Sequence, residues 1–275
     1  MLGKKLTQRL RVGIVGCGAI GEGLALFIDS QLSDKINLCA LADKDQQRAV
    51  KLQRKLRSVL SVVEVEELIK KVDLVVETAS IEAARFILER ALLYKKDMLI
   101  LSAGALIENF PLLAQAEKAK INIYVPSGAI SGIDGLGALS LGSIRKVSLI
   151  TSKPPRGLIG ADYLKRKKIN LTNLKKEKVV FKGSVKEAVR YFPKNVNVAA
   201  ILVLASSSQN VEVCIKANPN LKRNTHCIIV EAKEAKLSVT VENTPSKLNP
   251  RTSSLAILSV QYFFRKMFSN FKVGS

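Results

Sequence analysis

Short apolar runs alternate with amphipathic stretches through the first 126 residues. In "RVGIVGCGAIGEGLALFI" (11–28), Val12, Ile14 and Val15 form the compact apolar run of a buried strand, and a glycine turn leads into a helix. "INLCALAD" (36–43), "VDLVVETAS" (72–80), "DMLILSAGAL" (97–106) and "INIYVPSGAI" (121–130) read as further strands separated by helical patterns. Such alternation predicts an α/β, Rossmann-type parallel sheet. Around residue 127 the rhythm changes. "SGAISGIDGLGALSLGS" (127–143) is a helix of small residues, and "KVSLITSKPP" (146–155) alternates as a half-exposed strand. "SVKEAVRYFPKNVNVAAILVLASS" (184–207) reads as a helix, a Phe-Pro break and a second helix, with Asn195 and Asn197 at the second N-terminus. "VEVCIKANP", "THCIIVEA" and "KLSVTVEN" then predict three antiparallel strands, and "NPRTSSLAILSVQYFFRKMF" (249–268) a closing helix.

The expected organisation is a dinucleotide-binding domain over 1–126 and an α+β catalytic and dimerisation domain over 127–249 with a mixed or antiparallel sheet. The closing helix within 250–275 is expected to pack back on the first domain, and a cleft between the domains is the expected ligand site. A chain of 275 residues with 47% hydrophobic content has the apolar material for this. The longest apolar runs, such as "VAAILVLA" (198–205), are too short to cross a bilayer. The opening residues carry glycines where an apolar targeting core would lie. Cys17, Cys39, Cys214 and Cys227 are scattered without metal spacing, so a reduced, cytoplasmic protein without a metal is expected.

Charge adds one anomaly. Forty-four Lys and Arg against 23 Asp and Glu give a net charge of +21. Such a surface attracts small anions and, non-specifically, nucleic acid. The densest run, "KRKKINLTNLKKEK" (165–178), reads as a solvated loop and helix face without the interleaved aromatics of a single-strand groove. No reading helix or winged module stands out, so no specific nucleic-acid partner and no membrane partner is expected.

Gly16, Gly18 and Gly21 follow the first strand in the pattern G-x-G-x-x-G. The first lets the chain turn, the second admits a pyrophosphate to the backbone, and the third lets the helix lie close on the strand. The helix start at Ala19 and Ile20 offers free N–H groups to phosphate. Asp43 ends the second strand, where a carboxylate binds ribose hydroxyls and repels a 2′-phosphate. NAD is therefore favoured, although Lys44 beside it keeps NADP open. Ala79 and Ser80 at the end of the third of these strands suit a ligand crevice, and a nicotinamide would reach the small residues near Ser127 to Ala129. His226 is the only histidine. Alternation in "HCIIV" places it on the face of Ile228 and Val230, which fits a core histidine as well as a catalytic one.

Taken together, "VPSGAISGIDGLGALSLGSI", "VSLITSKPPRGL", "AVRYFPKNVNVAAILVLA", "NPNLKRNTHCI" and "NPRTSSLAILSV" resemble the L-aspartate dehydrogenase family across nearly the whole chain. The resemblance implies NAD(P)-dependent oxidation of L-aspartate at its α-carbon to iminosuccinate, which hydrolyses to oxaloacetate and ammonia or feeds NAD biosynthesis. It implies that His226, in its "NTH" context, is the active-site histidine and that Ala129 and Asn195 contact the nicotinamide. The family's members are usually homodimers of two-domain subunits. A dicarboxylate substrate calls for cationic and N–H donors at both ends, and Ser127, Lys153, Arg156, Asn197, Asn224 and Thr225 are the candidates. The alternative is a related NAD(P)-dependent enzyme of another small amino or hydroxy acid, such as a homoserine dehydrogenase or dihydrodipicolinate reductase, but the "FPKNVNVAA" and "NTH" segments do not match those.

Overall fold

Apolar strands feeding amphipathic helices build a doubly wound sheet in the first part of the computed structural model, which describes residues 8–192, 197–208, 210–250 and 252–274. Its strands are β1 (Leu10–Val15), β2 (Ile36–Ala42), β3 (Ser61–Val62), β4 (Leu74–Glu77), β5 (Asp97–Ile100) and β6 (Ile123–Tyr124). All neighbours pair in parallel in the order β3-β2-β1-β4-β5-β6. That order reverses at β1/β4, the switch point at which such sheets open a ligand crevice. The Rossmann-type sheet expected from the sequence is present.

This sheet belongs to a unit formed by the chain up to Pro126 together with Ile257–Lys272. Helix Ala19–Gln31 buries Leu24, Ala25 and Ile28, one stripe at helical spacing, against Val12, Ile14, Leu38 and Leu41. Helix Ser254–Met267 enters the same core through Val260 and Phe264, four residues apart and both fully buried. Phe263 packs on Tyr124 with ring centroids 5.0 Å apart, and Gln261 Nε2 donates to the Gly23 carbonyl at 2.9 Å. A buried phenylalanine such as Phe264 contributes about 3–5 kcal/mol relative to alanine.

The other unit comprises Ser127–Ala256 and the last three residues. Its sheet contains β7 (Ile144–Lys153), β8 (Lys178–Ser184), β9 (Val211–Ala217), β10 (Asn224–Ala232) and β11 (Lys236–Asn243), in the order β11-β10-β7-β9-β8. Only β7 and β9 pair in parallel, so the sheet is mixed, as expected.

Two details differ from the sequence reading. The segments expected as three antiparallel strands do not run side by side: β10 and β11 form a hairpin, but β7 lies between β9 and β10. The link 218–223 contains Pro219 and an Asn218 side chain that accepts from Asn220 N at 2.9 Å, so it bridges across a strand instead of closing a tight hairpin. β8 went unread because its ladder shifts register between Val179 and Phe181, leaving Val180 and Phe181 consecutive and both buried. A bulge of that kind erases the alternation by which a strand is recognised.

One face of the mixed sheet is covered. Helix Asn197–Ser206 buries Val198, Ala199, Ala200, Ile201, Leu202 and Val203 and packs on β7, β9 and the small-residue helix Ile133–Leu139. A helix apolar on all sides belongs in such a buried layer. Tyr163, Phe181, Tyr191 and Phe192 form an aromatic cluster with centroids 5.1–6.4 Å apart, tying the excursion after β7 to β8 and helix Val185–Tyr191.

Candidate functional site

The three glycines of the first loop have separate structural reasons. Gly16 adopts φ 97°, and a Cβ there would come within 2.7 Å of the Thr78 carbonyl. At Gly21 a Cβ would meet the Gly16 oxygen at 1.9 Å, so only glycine lets the helix approach the loop. At Gly18 a Cβ would meet nothing within 4 Å. Gly18 therefore borders open space at the start of helix Ala19–Gln31, whose first N–H groups lack intrahelical partners. A pyrophosphate fits that cradle: the backbone is bare and the helix dipole favours negative charge.

Asp43 stands where expected, just past β2, and is closely engaged with this loop. Its Oδ2 accepts from Cys17 N at 2.7 Å and its Oδ1 from Asp45 N at 2.9 Å, while Arg48 lies 3.8 Å away. The carboxylate braces the glycine loop and also places negative charge at the strand end. Thr78 fixes the loop from the other side, donating from Oγ1 to the Gly16 carbonyl at 2.6 Å. Ser80 caps helix Ile81–Leu93 by accepting from Ala83 N at 3.3 Å. Thus Gly16, Gly18, Ala19, Ile20, Gly21, Asp43, Ala79 and Ser80 gather at the carboxyl ends of β1, β2 and β4.

Glu77, within this frame, was not singled out from the sequence. It is fully buried at the end of β4 and accepts from Ala79 N at 2.6 Å, Ser102 N at 2.9 Å and Ser102 Oγ at 2.8 Å. Burial pushes its pKa up, and the donated hydrogen bonds oppose the shift. An acidic residue closing the apolar run "LVVE" was the available signal.

The second cluster lies where β7 ends and β10 begins. His226 and Thr151 are register partners across these antiparallel strands, and Thr151 Oγ1 lies 3.0 Å from His226 Nδ1. Lys153 is two residues on from Thr151 and therefore on the same face. All three are buried. Burial first, and then the Lys153 charge, push the His226 pKa down to about 4. Burial alone lowers that of Lys153 to about 8.

Lys153 forms part of the wall of a cavity of about 920 Å³, with Arg156, Asp162, Lys222, Arg223 and Asn224 among the lining residues. Four cationic side chains against one carboxylate suit an anionic ligand. The turn at Gly157 brings this wall together, since a Cβ there would be 3.7 Å from Lys153 Cβ and 3.9 Å from Asn224 Oδ1.

Other expected residues are placed differently. Thr225 alternates to the face opposite His226, where its buried Oγ1 has no hydrogen-bond partner among the described residues. The structure does not bring it to the cluster. Asn197 begins helix Asn197–Ser206. Asn195 lies outside the described residues. Ser127 and Ala129 lie in the loop before helix Ile133–Leu139, with Ile130 N donating to the Ser127 carbonyl at 3.3 Å. Asn243, unnoticed in the sequence, holds that loop: its Nδ2 donates to the Ala129 carbonyl at 3.0 Å, and its Oδ1 accepts from Ser253 Oγ. No spacing rule would have marked it, because its partners are 114 and 10 residues away.

Among the described residues no group of three or more His, Cys, Asp or Glu is placed to hold a metal ion. No helix among them is long and apolar enough to cross a membrane.

Comparison with known proteins covers both units. Residues 134–267 match the family described as aspartate dehydrogenase, C-terminal, and residues 16–126 match the NAD binding domain of homoserine dehydrogenase. The L-aspartate dehydrogenase of Methanosarcina acetivorans is 42% identical over 271 residues, covering 97% of this chain and 100% of the relative. That of Nitrosopumilus maritimus is 38% identical over 266 residues, covering 94% and 97%. The crystal structure of aspartate dehydrogenase from Thermotoga maritima superposes with a TM-score of 0.75 at 25% identity, over 97% of this chain and 100% of that one.

Proposed function

The chain belongs to the L-aspartate dehydrogenase family, and on that premise we propose that it oxidises L-aspartate at the α-carbon to iminosuccinate, using NAD or NADP. The observation that carries this reading to particular residues is the buried Thr151–His226–Lys153 cluster beside a cation-lined cavity. A nicotinamide cofactor held by the glycine loop would supply the hydride acceptor for the α-carbon.

The chain's own residues do the rest. Gly16, Gly18, Ala19, Ile20 and Gly21 cradle the pyrophosphate on bare backbone and helix N–H groups, and Asp43 faces the adenosine ribose. Ala79 and Ser80 border the cofactor at the end of β4, and within the other unit Asn243 fixes the Ala129 carbonyl. Ser127, Lys153, Arg156 and Asn224 border the substrate, and the Arg156 guanidinium is suited to pair with a carboxylate. His226, held at Nδ1 by Thr151, stays neutral near working pH and hydrogen-bonds the reacting nitrogen and the water that attacks the imine.

A homodimer is part of the same proposal. The sheet face opposite His226 carries Ile150 between its register partners Cys214 and Cys227, with Ile229 beside them, all half-buried within one chain. An apolar strip across three central strands suits a second copy of the same face. A cytoplasmic setting fits four free cysteines among the described residues.

Initial rates of NAD and NADP reduction with L-aspartate, homoserine and malate test the activity. Turnover confined to aspartate is expected; preference for either competitor would overturn the substrate assignment. Light scattering of wild type and Ile150→Lys tests the dimer, which the substitution is expected to dissociate.

A further inference from the structure

Removing hydride from the α-carbon of an amino acid requires a neutral amine, because only a free nitrogen lone pair can form the C=N bond. The substrate arrives as an ammonium, so a group at the site must take one proton. His226 is a poor candidate, because burial keeps it a weak base near neutral pH.

We propose, resting on the aspartate dehydrogenase reading above, that Lys153 is the general base, its Nζ accepting the proton from the α-ammonium of aspartate at the wall of the cation-lined cavity. Position supports this. Lys153 is the last residue of β7, 9% exposed, and lines the cavity, so its backbone is fixed in the sheet at the cavity wall. Its register partner on β9 is Ala217, an apolar neighbour that offers no charge. The titratable groups that share its surroundings are His226 on β10 and Arg156, Asp162, Tyr191, Lys222 and Arg223 around the cavity. Its pKa, lowered to about 8 by burial, leaves a substantial neutral fraction at mildly alkaline pH.

The step balances within these groups. One N–H bond of the ammonium breaks and one Nζ–H bond forms, giving a neutral amine and a charged lysine. As the α-hydrogen leaves with its bonding electron pair, the amine lone pair becomes the π bond of the iminium. Lys153 then returns its proton to solvent. Arg156, Lys222 and Arg223 line the same cavity and are placed to pair with carboxylates. The division of labour separates carboxylate binding from proton transfer by a buried amine.

The test compares wild type with Lys153→Arg, Lys153→Met and Lys153→Ala on L-aspartate across pH 6.5 to 10, with cofactor binding followed by fluorescence as a check on folding. Lys153→Arg keeps the charge but cannot accept a proton. It is expected to lower kcat by about 10²- to 10⁴-fold, with the aspartate KM and cofactor binding changed little. The wild-type rise in kcat/KM near pH 8 is expected to vanish, and added primary amines to restore turnover in Lys153→Ala. Independently of turnover, a 13Cε-lysine NMR signal present in wild type and missing in Lys153→Arg is expected to titrate near pH 8. Near-wild-type kcat in Lys153→Arg would overturn the proposal, as would a KM defect without a kcat defect in Lys153→Met. A Lys153 signal titrating near the ordinary lysine value of about 10.4 would overturn it as well. Wild-type turnover of aspartate tests the substrate reading on its own, whereas the base is judged on variant-to-wild-type ratios and on the titration.

Discussion

Thr151 Oγ1 lies 3.0 Å from Nδ1 of His226, straight across the β7–β10 ladder. The bond joins two buried side chains on adjacent strands, so it fixes both the ring orientation and the nitrogen left for other work. Thr151→Val preserves the shape and β-branching but removes the hydroxyl. We expect kcat to fall between about 10- and 100-fold through misplacement of the ring. Stability is expected to drop by about 1–3 kcal/mol through the unpaired nitrogen. Thr151→Ser should restore most of both. Steady-state kinetics and urea unfolding check this; an unimpaired Thr151→Val would remove the hydroxyl from the site.

The same imidazole makes stability depend on pH. Its folded pKa of about 4 lies below the 6.5 of an exposed histidine. Between those values the unfolded chain binds the proton and the folded chain does not, so unfolding takes up protons as pH falls. The contribution is complete above pH 6.5 and is lost progressively as pH falls to 4, by about 3 kcal/mol from this group. Urea midpoints of wild type and His226→Gln between pH 4 and 7 give the comparison. A wild-type slope no steeper than that of the variant would mean the ring is hydrated and titrates normally.

The glycine loop was legible because backbone geometry demanded specific residues at fixed spacing: only glycine fits beside the Thr78 carbonyl and the Gly16 oxygen. Lys153 was named among the carboxylate-binding candidates, but its burial was harder to read in so basic a chain. Its phase along β7 with Val147, Leu149 and Thr151 was the available sign of burial. Strand order was less accessible still. Nothing local to β9 or β10 records that β7 comes between them, and the β8 bulge removed the alternation that would have revealed that strand. Asn243 acts on Ala129 through the tertiary fold alone.

Glu77 gives a prediction about the frame beneath the cofactor end. Its two oxygens receive three donors in a site without exposure. Glu77→Gln replaces one acceptor oxygen by an N–H donor, which then faces a donor already there. The expected loss of stability is about 1–3 kcal/mol. Cofactor affinity should weaken too, since Ala79 lies in the turn the carboxyl holds. Urea unfolding and cofactor titration check both; an unchanged variant would show that the turn reorganises freely.

Gly18 and Gly21 separate binding from folding. A methyl at Gly21 would lie 1.9 Å from the Gly16 oxygen, a distance that only backbone movement relieves. Gly21→Ala is therefore expected to lower both stability and cofactor affinity. A methyl at Gly18 meets nothing within 4 Å, so the fold should tolerate Gly18→Ala. The methyl would instead stand in the space a pyrophosphate approaches, and loss of even one charge-assisted hydrogen bond there is worth about 1.5–3 kcal/mol, or roughly tenfold or more in affinity. Cofactor titrations and thermal melts of the two variants read the two effects apart. A Gly18→Ala variant that binds NAD like wild type would place the pyrophosphate elsewhere along the loop, because an added methyl cannot share volume with a ligand in contact with that backbone.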